Sequence, residues 1–176
     1  MSEYCVLLVN ETGTDDSVIS ALRNIETVKA AYGTFGTFDV LTKLESADEI
    51  KLEQDISRRL RRIPHIRSTL TLEIIGGSGF RKTTKVENEV LESHMTRAFV
   101  IIHCSRSNER QIIENLRQIP EIIECDVLIG SYEIICKVVA PSYNEISSIL
   151  TSKIRKIPNI KSTSTLNIVE NQGFEK

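Results

Sequence analysis

The side chains able to do chemistry are few in this sequence. Three histidines (His65, His94, His103) and four cysteines (Cys5, Cys104, Cys125, Cys136) are its whole supply of imidazole and thiol groups. No Cys-x-x-Cys pair occurs, so neither a zinc ribbon nor a dithiol redox motif is signalled. No Ser-His-Asp or Cys-His constellation can be argued, and no glycine-rich phosphate loop follows a strand. His65 follows a helix end and His94 sits in a polar connection, where histidines are ordinarily solvated. The chain is therefore expected to bind rather than to catalyse, and to need no cofactor.

The elements that must hold these groups form a duplicated unit. Ile63-Pro64 and Ile157-Pro158 stand 94 residues apart, and that offset aligns the two halves from Tyr4 to Ile75 without a gap. Leu22-Arg23 falls on Leu116-Arg117, Gly36 on Gly130, Lys43 on Lys137 and Ser68-Thr69 on Ser162-Thr163. Each copy opens with an apolar run of strand length (5–9, 99–103), followed by a helix with Thr14 or Asn108 as N-cap. Val18, Leu22 and Ile25, or Ile112, Leu116 and Ile119, draw one apolar stripe along it. Two β-rich runs follow (28–35 and 38–44; 122–129 and 132–139). They are separated by Gly36-Thr37 or Gly130-Ser131, the signal of a tight type I′ or II′ hairpin. A second helix carries Leu52, Ile56, Leu60 and Ile63, or Ile146, Leu150, Ile154 and Ile157, and ends at Pro64 or Pro158. The last strands are 69–75 and 163–169. The order is β-α-β-β-α-β twice, with domains expected at 1–76 and 96–170. Gly76-Gly77-Ser78-Gly79 and the polar residues after it suggest a flexible linker over 77–95 with a short helical end, and 171–176 a tail.

Hydrophobic residues make up 40% and charged residues 26%, enough apolar side chain for a packed core and too little charge excess for disorder. A formal net charge of −2 and a pI near 6.0 do not favour direct nucleic-acid binding. No apolar run approaches the roughly 18 residues of a membrane span, and residues 1–10 lack the pattern of a signal peptide. A cytoplasmic protein without a membrane partner is expected. Arg58, Arg59, Arg61 and Arg62, with Lys153, Arg155 and Lys156, sit late in each second helix. There they complement the helix dipole on a solvated face.

The strands are apolar on both faces, whereas ferredoxin-like helices cover only one. The expected architecture is α+β, with antiparallel sheets packed face to face as in dimeric α/β barrels. The partner sheet would come from the other copy or from another chain, so self-association is expected. A two-residue turn at Gly130-Ser131 sets Cys125 opposite Cys136, near the strand that ends in His103-Cys104. A copper, zinc or redox site on His103, Cys104, Cys125 and Cys136 is the alternative this raises. The first copy has Val9, Asn10, Ala31 and Thr42 at these places, so the arrangement is not repeated and buried thiols are favoured.

The segments Thr34-Phe35-Gly36-Thr37-Phe38-Asp39-Val40-Leu41 and Ile63-Pro64-His65-Ile66-Arg67-Ser68-Thr69-Leu70-Thr71, with their counterparts, resemble the ligand-binding domain of the Lrp/AsnC regulators. The family domain is also called the regulation of amino acid metabolism domain, and the resemblance spans both copies. ACT-type modules share the element order, but the Gly-x-x-Asp hairpin favours Lrp/AsnC. Relatives of full length carry an N-terminal helix-turn-helix, and this chain starts at the first strand, so DNA binding by that route is not expected. The resemblance implies an assembly or sensing module for small effectors, typically amino acids, that can combine with DNA-binding relatives.

It also implies an effector site near the hairpin and the last strand. Carried over by motif, that site would use Gly36, Thr37, Asp39, Thr69 and Thr71 in the first copy. In the second it would use Gly130, Ser131, Glu133, Thr163 and Thr165. A carboxylate suits an α-ammonium; hydroxyls and backbone N–H groups suit an α-carboxylate; glycine permits close approach. Glu133 stands where the first copy has Asp39, and its added methylene is expected to disturb the ligand geometry there. Dimeric α/β barrels also host tetrapyrrole and oxygen chemistry, a third reading that the scarcity of histidines argues against.

Overall fold

A computed structural model describes residues 1–176. The fold is α+β, two ferredoxin-like units in tandem. Eight strands, β1 (Ser2–Asn10), β2 (Val28–Phe35), β3 (Val40–Ser46), β4 (Ile66–Arg81), β5 (Thr96–Cys104), β6 (Ile122–Ile129), β7 (Ile134–Ala140) and β8 (Ile160–Glu175), alternate with helices α1 (Asp15–Arg23), α2 (Glu49–Gln54), α3 (Lys85–His94), α4 (Glu109–Arg117) and α5 (Tyr143–Ile149). No helix is long and apolar enough to cross a membrane.

The last strand of each copy runs for 16 residues, about twice its expected length. The first unit comprises Met1–Ile74 and Val169–Lys176, the second Ile75–Ile168. In the first the strand order is β4-β1-β3-β2, completed by the last part of β8; in the second it is β8-β5-β7-β6, completed by the last part of β4. Residues 77–95, expected as a flexible linker with a short helical end, are strand as far as Arg81 and then carry helix α3, and 171–175 is strand rather than tail.

The glycines of that segment answer to geometry rather than to flexibility. A Cβ on Gly79 would stand 1.8 Å from the carbonyl oxygen of Cys125, and one on Gly173 2.3 Å from that of Ala31. Only glycine lets these backbones approach so closely. Helix α3 starts in a Thr84/Glu87 capping box and presents Glu92 to Arg97 at 2.9 Å and to the buried Lys137 at 3.8 Å.

The hairpins keep the register of a two-residue turn, Gly33 opposite Val40 and Cys125 opposite Cys136. The turn itself is neither type I′ nor II′. Gly36 and Gly130 have φ of 145°, far from the values near +60° of those turns. Thr34 closes the loop instead, its N–H donating to Asp39 O at 2.8 Å and its hydroxyl to Phe38 O at 2.9 Å.

Each unit packs its helices on one sheet face. Val6, Leu8, Val18, Leu22, Val40, Leu52 and Leu60 meet in the first core, and Val100, Ile102, Ile112, Leu116, Ile134 and Ile154 in the second. On the other face Cys5, Leu7, Leu41 and Leu72 are also fully buried. The second helices change pitch: residues Asp55–Arg59 and Leu150–Ile154 form π-helical turns. The spacing explains it. Leu52, Ile56 and Leu60 recur every four residues, overshooting the 3.6-residue turn by about 40° per step, and a wider turn takes up the drift. Thr14 and Asn108 are the N-cap residues as expected, but neither side chain makes the capping bond.

Candidate functional site

The hairpin base is built alike in both units. Pairing of β1 with β4 slips between Val9 and Asn10, and such a bulge takes a backbone N–H out of the regular ladder. Asp39 Oδ2 accepts the Asn10 N–H at 2.9 Å, while the Asp39 N–H donates to Leu8 O at 2.8 Å. In the second unit the slip falls between His103 and Cys104. Glu133 Oε2 accepts the Cys104 N–H, again at 2.9 Å. The longer Glu133 side chain thus bends back to the N–H equivalent to the one Asp39 accepts. The same oxygen stands 2.9 Å from His103 Nδ1, which donates to it when protonated. Asp39 is half-buried and Glu133 is buried.

The ten residues carried over from the family do not all converge. Gly36, Thr37, Gly130 and Ser131 are exposed at the hairpin tips, beside the two carboxylates. Thr69 and Thr71 lie on β4 opposite Leu8 and Val6, and Thr163 and Thr165 on β8 opposite Ile102 and Val100. Strand β1 or β5 therefore separates the threonines from the hairpin, two strand spacings of about 4.8 Å each. Two of the hydroxyls are engaged: Arg61 donates to Thr71 at 3.3 Å and Arg155 to Thr163 at 3.0 Å. Thr165 Oγ1 and Asn10 Oδ1 are buried without a hydrogen-bond partner in the protein. The Asn10 amide nitrogen donates to Glu11 O, Thr14 Oγ1 and Asp15 Oδ1, so its oxygen is an acceptor left without a donor beside the hairpin base.

Three of the four residues of the metal alternative are buried thiols. Cys104, Cys125 and Cys136 sit in the apolar core of the second unit, while His103 turns to Glu133. No group of three or more His, Cys, Asp or Glu side chains could hold a metal ion. Burial pushes the Cys136 thiol up to about 12 and that of Cys104 to about 11, with Glu124 and Glu133 adding to the two shifts, and raises Cys125 well above its ordinary value. Protonated thiols of this kind are poor nucleophiles.

The repeat extends beyond Ile75 and its counterpart Val169. The 94-residue offset continues from Gly79-Phe80 to Gly173-Phe174 and from Lys82 to Lys176. Phe174 enters the core of the first unit and Phe80 that of the second. The Arg23 guanidinium covers the Phe174 ring at 4.5 Å, and that of Arg117 covers Phe80 at 4.8 Å. Lys176 and Lys82 each donate at 2.7 Å to a carbonyl just past a helix end, of Ile25 and Ile119, where a cation complements the dipole. Beside them the copies differ. Arg81 forks onto both oxygens of Asp126 at 2.9 Å, whereas the counterparts Glu175 and Tyr32 share a hydroxyl hydrogen bond. Carrying the offset seven residues further would have exposed the whole pattern.

Two ferredoxin-like units, each with a carboxylate fixed at a hairpin base, define a tandem α+β domain. The family model for the Lrp/AsnC ligand binding domain matches residues 5–76 and 97–172, and the chain belongs to that family. An uncharacterized HTH-type transcriptional regulator of Pyrococcus abyssi is 26% identical over 126 residues, 69% of this chain and 78% of the relative. The regulatory protein AsnC of Haemophilus influenzae is 32% identical over 96 residues, 53% of this chain and 64% of the relative. Among solved structures, the siroheme decarboxylase NirDL shares the fold, with a TM-score of 0.72 at 10% identity over 99% of this chain and 72% of that one.

Proposed function

We propose that this protein is a regulatory module that binds a small effector, an amino acid, at the hairpin base and responds by changing its association with itself or with DNA-binding relatives. In this reading it performs no chemistry and acts in the cytoplasm. The observation that carries the reading is the pair of preset carboxylates. Asp39 and Glu133 are each tied to the last N–H of the first strand at 2.9 Å, so they need no reorganisation to receive an ammonium group. Exposed glycine and hydroxyl residues stand next to them, and Phe35 and Ile129, equivalent across the repeat, are each 47% exposed on the hairpin, an apolar patch suited to association. The regulators among its sequence relatives support the same reading.

A thermal-shift screen of the twenty amino acids tests it, since a ligand at 100 times its dissociation constant stabilises by about 2.7 kcal/mol. One amino acid should shift the melt and change the particle mass in light scattering, and the combined Asp39→Ala and Glu133→Ala variant should abolish both effects. If no amino acid shifts the melt, or if the shift survives that variant, the hairpin is not the effector site.

A further inference from the structure

Duplication makes each copy a control for the other. Below the start of β2, the first unit holds a cavity of about 390 Å³ lined by Glu26, Lys51, Gln54, Asp55, Arg58 and Arg59. The second unit has a cleft of about 380 Å³ at the same place, where Glu145, Ser148, Ile149, Ser152 and Lys153 take the positions of Lys51, Gln54, Asp55, Arg58 and Arg59. The decisive exchange is Asp55 for Ile149. Both are buried, at 6% and 7% exposure, so the same fold accepts an apolar side chain where the first copy keeps a carboxylate. Burying a carboxylate is costly unless it is well paired. The fold does not require that cost, since its twin does without it.

Asp55 makes one direct hydrogen bond and one looser ion pair. Its Oδ2 accepts the Thr27 hydroxyl at 2.7 Å, but Arg59 Nε stands 3.7 Å from Oδ1, beyond hydrogen-bond reach. The second unit's tie between loop and helix is complete by contrast, Lys153 donating to both oxygens of Glu121 at 2.8 and 3.1 Å. Around Asp55 the cavity carries the cations Arg58 and Arg59, and the paired Lys51 and Glu26. A buried anion with cations beside it matches a ligand that carries both signs a few ångströms apart.

We infer that this cavity of the first unit is a second binding site, for the zwitterionic head of a free amino acid, with Asp55 receiving the ammonium and Arg58 and Arg59 the carboxylate. It is separate from the hairpin base and does not depend on it. The test uses the full chain carrying Asp39→Ala and Glu133→Ala, titrated with each of the twenty amino acids while backbone amides are followed by NMR. At least one amino acid should move the amides of residues 26–27 and 51–59. Adding Asp55→Ile, the side chain the second copy carries, should preserve the folded spectrum and weaken that binding about tenfold or more, and Arg58→Ser should weaken it too. The matching amine or acid, lacking one of the two charges, should bind more weakly than the amino acid. Absence of any shift at these amides, or equal binding by the Asp55→Ile and Arg58→Ser proteins, overturns the inference. The two sites fail separately, because loss of hairpin binding leaves these amides responsive.

Discussion

At the scale of single residues, Asp39 and Glu133 have a structural duty that is independent of any ligand. Each satisfies a backbone N–H released by a bulge, and a buried donor left without a partner costs about 1–3 kcal/mol. Asp39→Ala should lower stability by about 1 kcal/mol. Glu133→Ala should cost more, because Glu133 is the more buried and also holds His103; urea midpoints of the two variants check the order. The thiols give a pH dependence of definite sign. Their values are raised in the folded protein, to about 11 for Cys104 and about 12 for Cys136. The folded state therefore keeps protons that the unfolded chain releases near its ordinary thiol value of about 8.5. This contribution to stability is fully present below that pH and is lost as pH rises through the folded values. The urea midpoint should fall between pH 9 and 11, and less so in a Cys104→Ala, Cys136→Ala variant. At pH 8 a thiol reagent should label the three second-unit cysteines only as fast as the protein opens.

At the scale of elements, the order of strands and helices, the hairpin register and the apolar stripes were all legible, because periodicities of 2 and 3.6 and the Gly36 and Gly130 punctuation report local geometry directly. The ends of β4 and β8 were not. Glycine in a polar context signals a loop by composition, yet Gly79 and Gly173 are there because a neighbouring backbone passes too close for any Cβ. The candidate site was legible at the hairpins, where Gly36, Thr37 and Asp39, and Gly130, Ser131 and Glu133, lie together; the intervening β1 or β5 that parts the threonines from the hairpin is a matter of pairing, which composition does not encode. Gly79→Ala and Gly173→Ala should each destabilise by about 1–3 kcal/mol or more. Gly173 also has a φ of 144°, so alanine there meets backbone strain in addition. Phe174→Ala should cost about 3–5 kcal/mol, the range for emptying a buried aromatic site. Calorimetric melting of the three variants checks the set.

At the scale of the whole molecule, the duplication accounts for the fold and its divergence for the differences between the units. Residues that both copies keep, such as the strand-end carboxylates and the Gly-Phe pairs, serve the architecture in both units. Residues that only one copy keeps, such as Asp55, and Arg81 with Asp126, mark where the units have specialised. The assignment of Val169–Lys176 to the first unit makes a further prediction. A chain ending at Ile168 loses Phe174 and Lys176, which belong to the first unit's core and helix cap. Hydrogen exchange should then show protection lost across β2 and α1, far in sequence from the deleted residues, while β5 to β7 retain theirs.

That same assignment sets a timetable for synthesis. The first unit lacks its final strand until the ribosome has made the whole second repeat, and at roughly 5–20 residues per second that wait lasts on the order of 5 to 20 seconds. Throughout it β2 is an open edge able to pair with another nascent chain. Polysomes, which hold several such chains close together, are where this protein would be most prone to join with copies of itself.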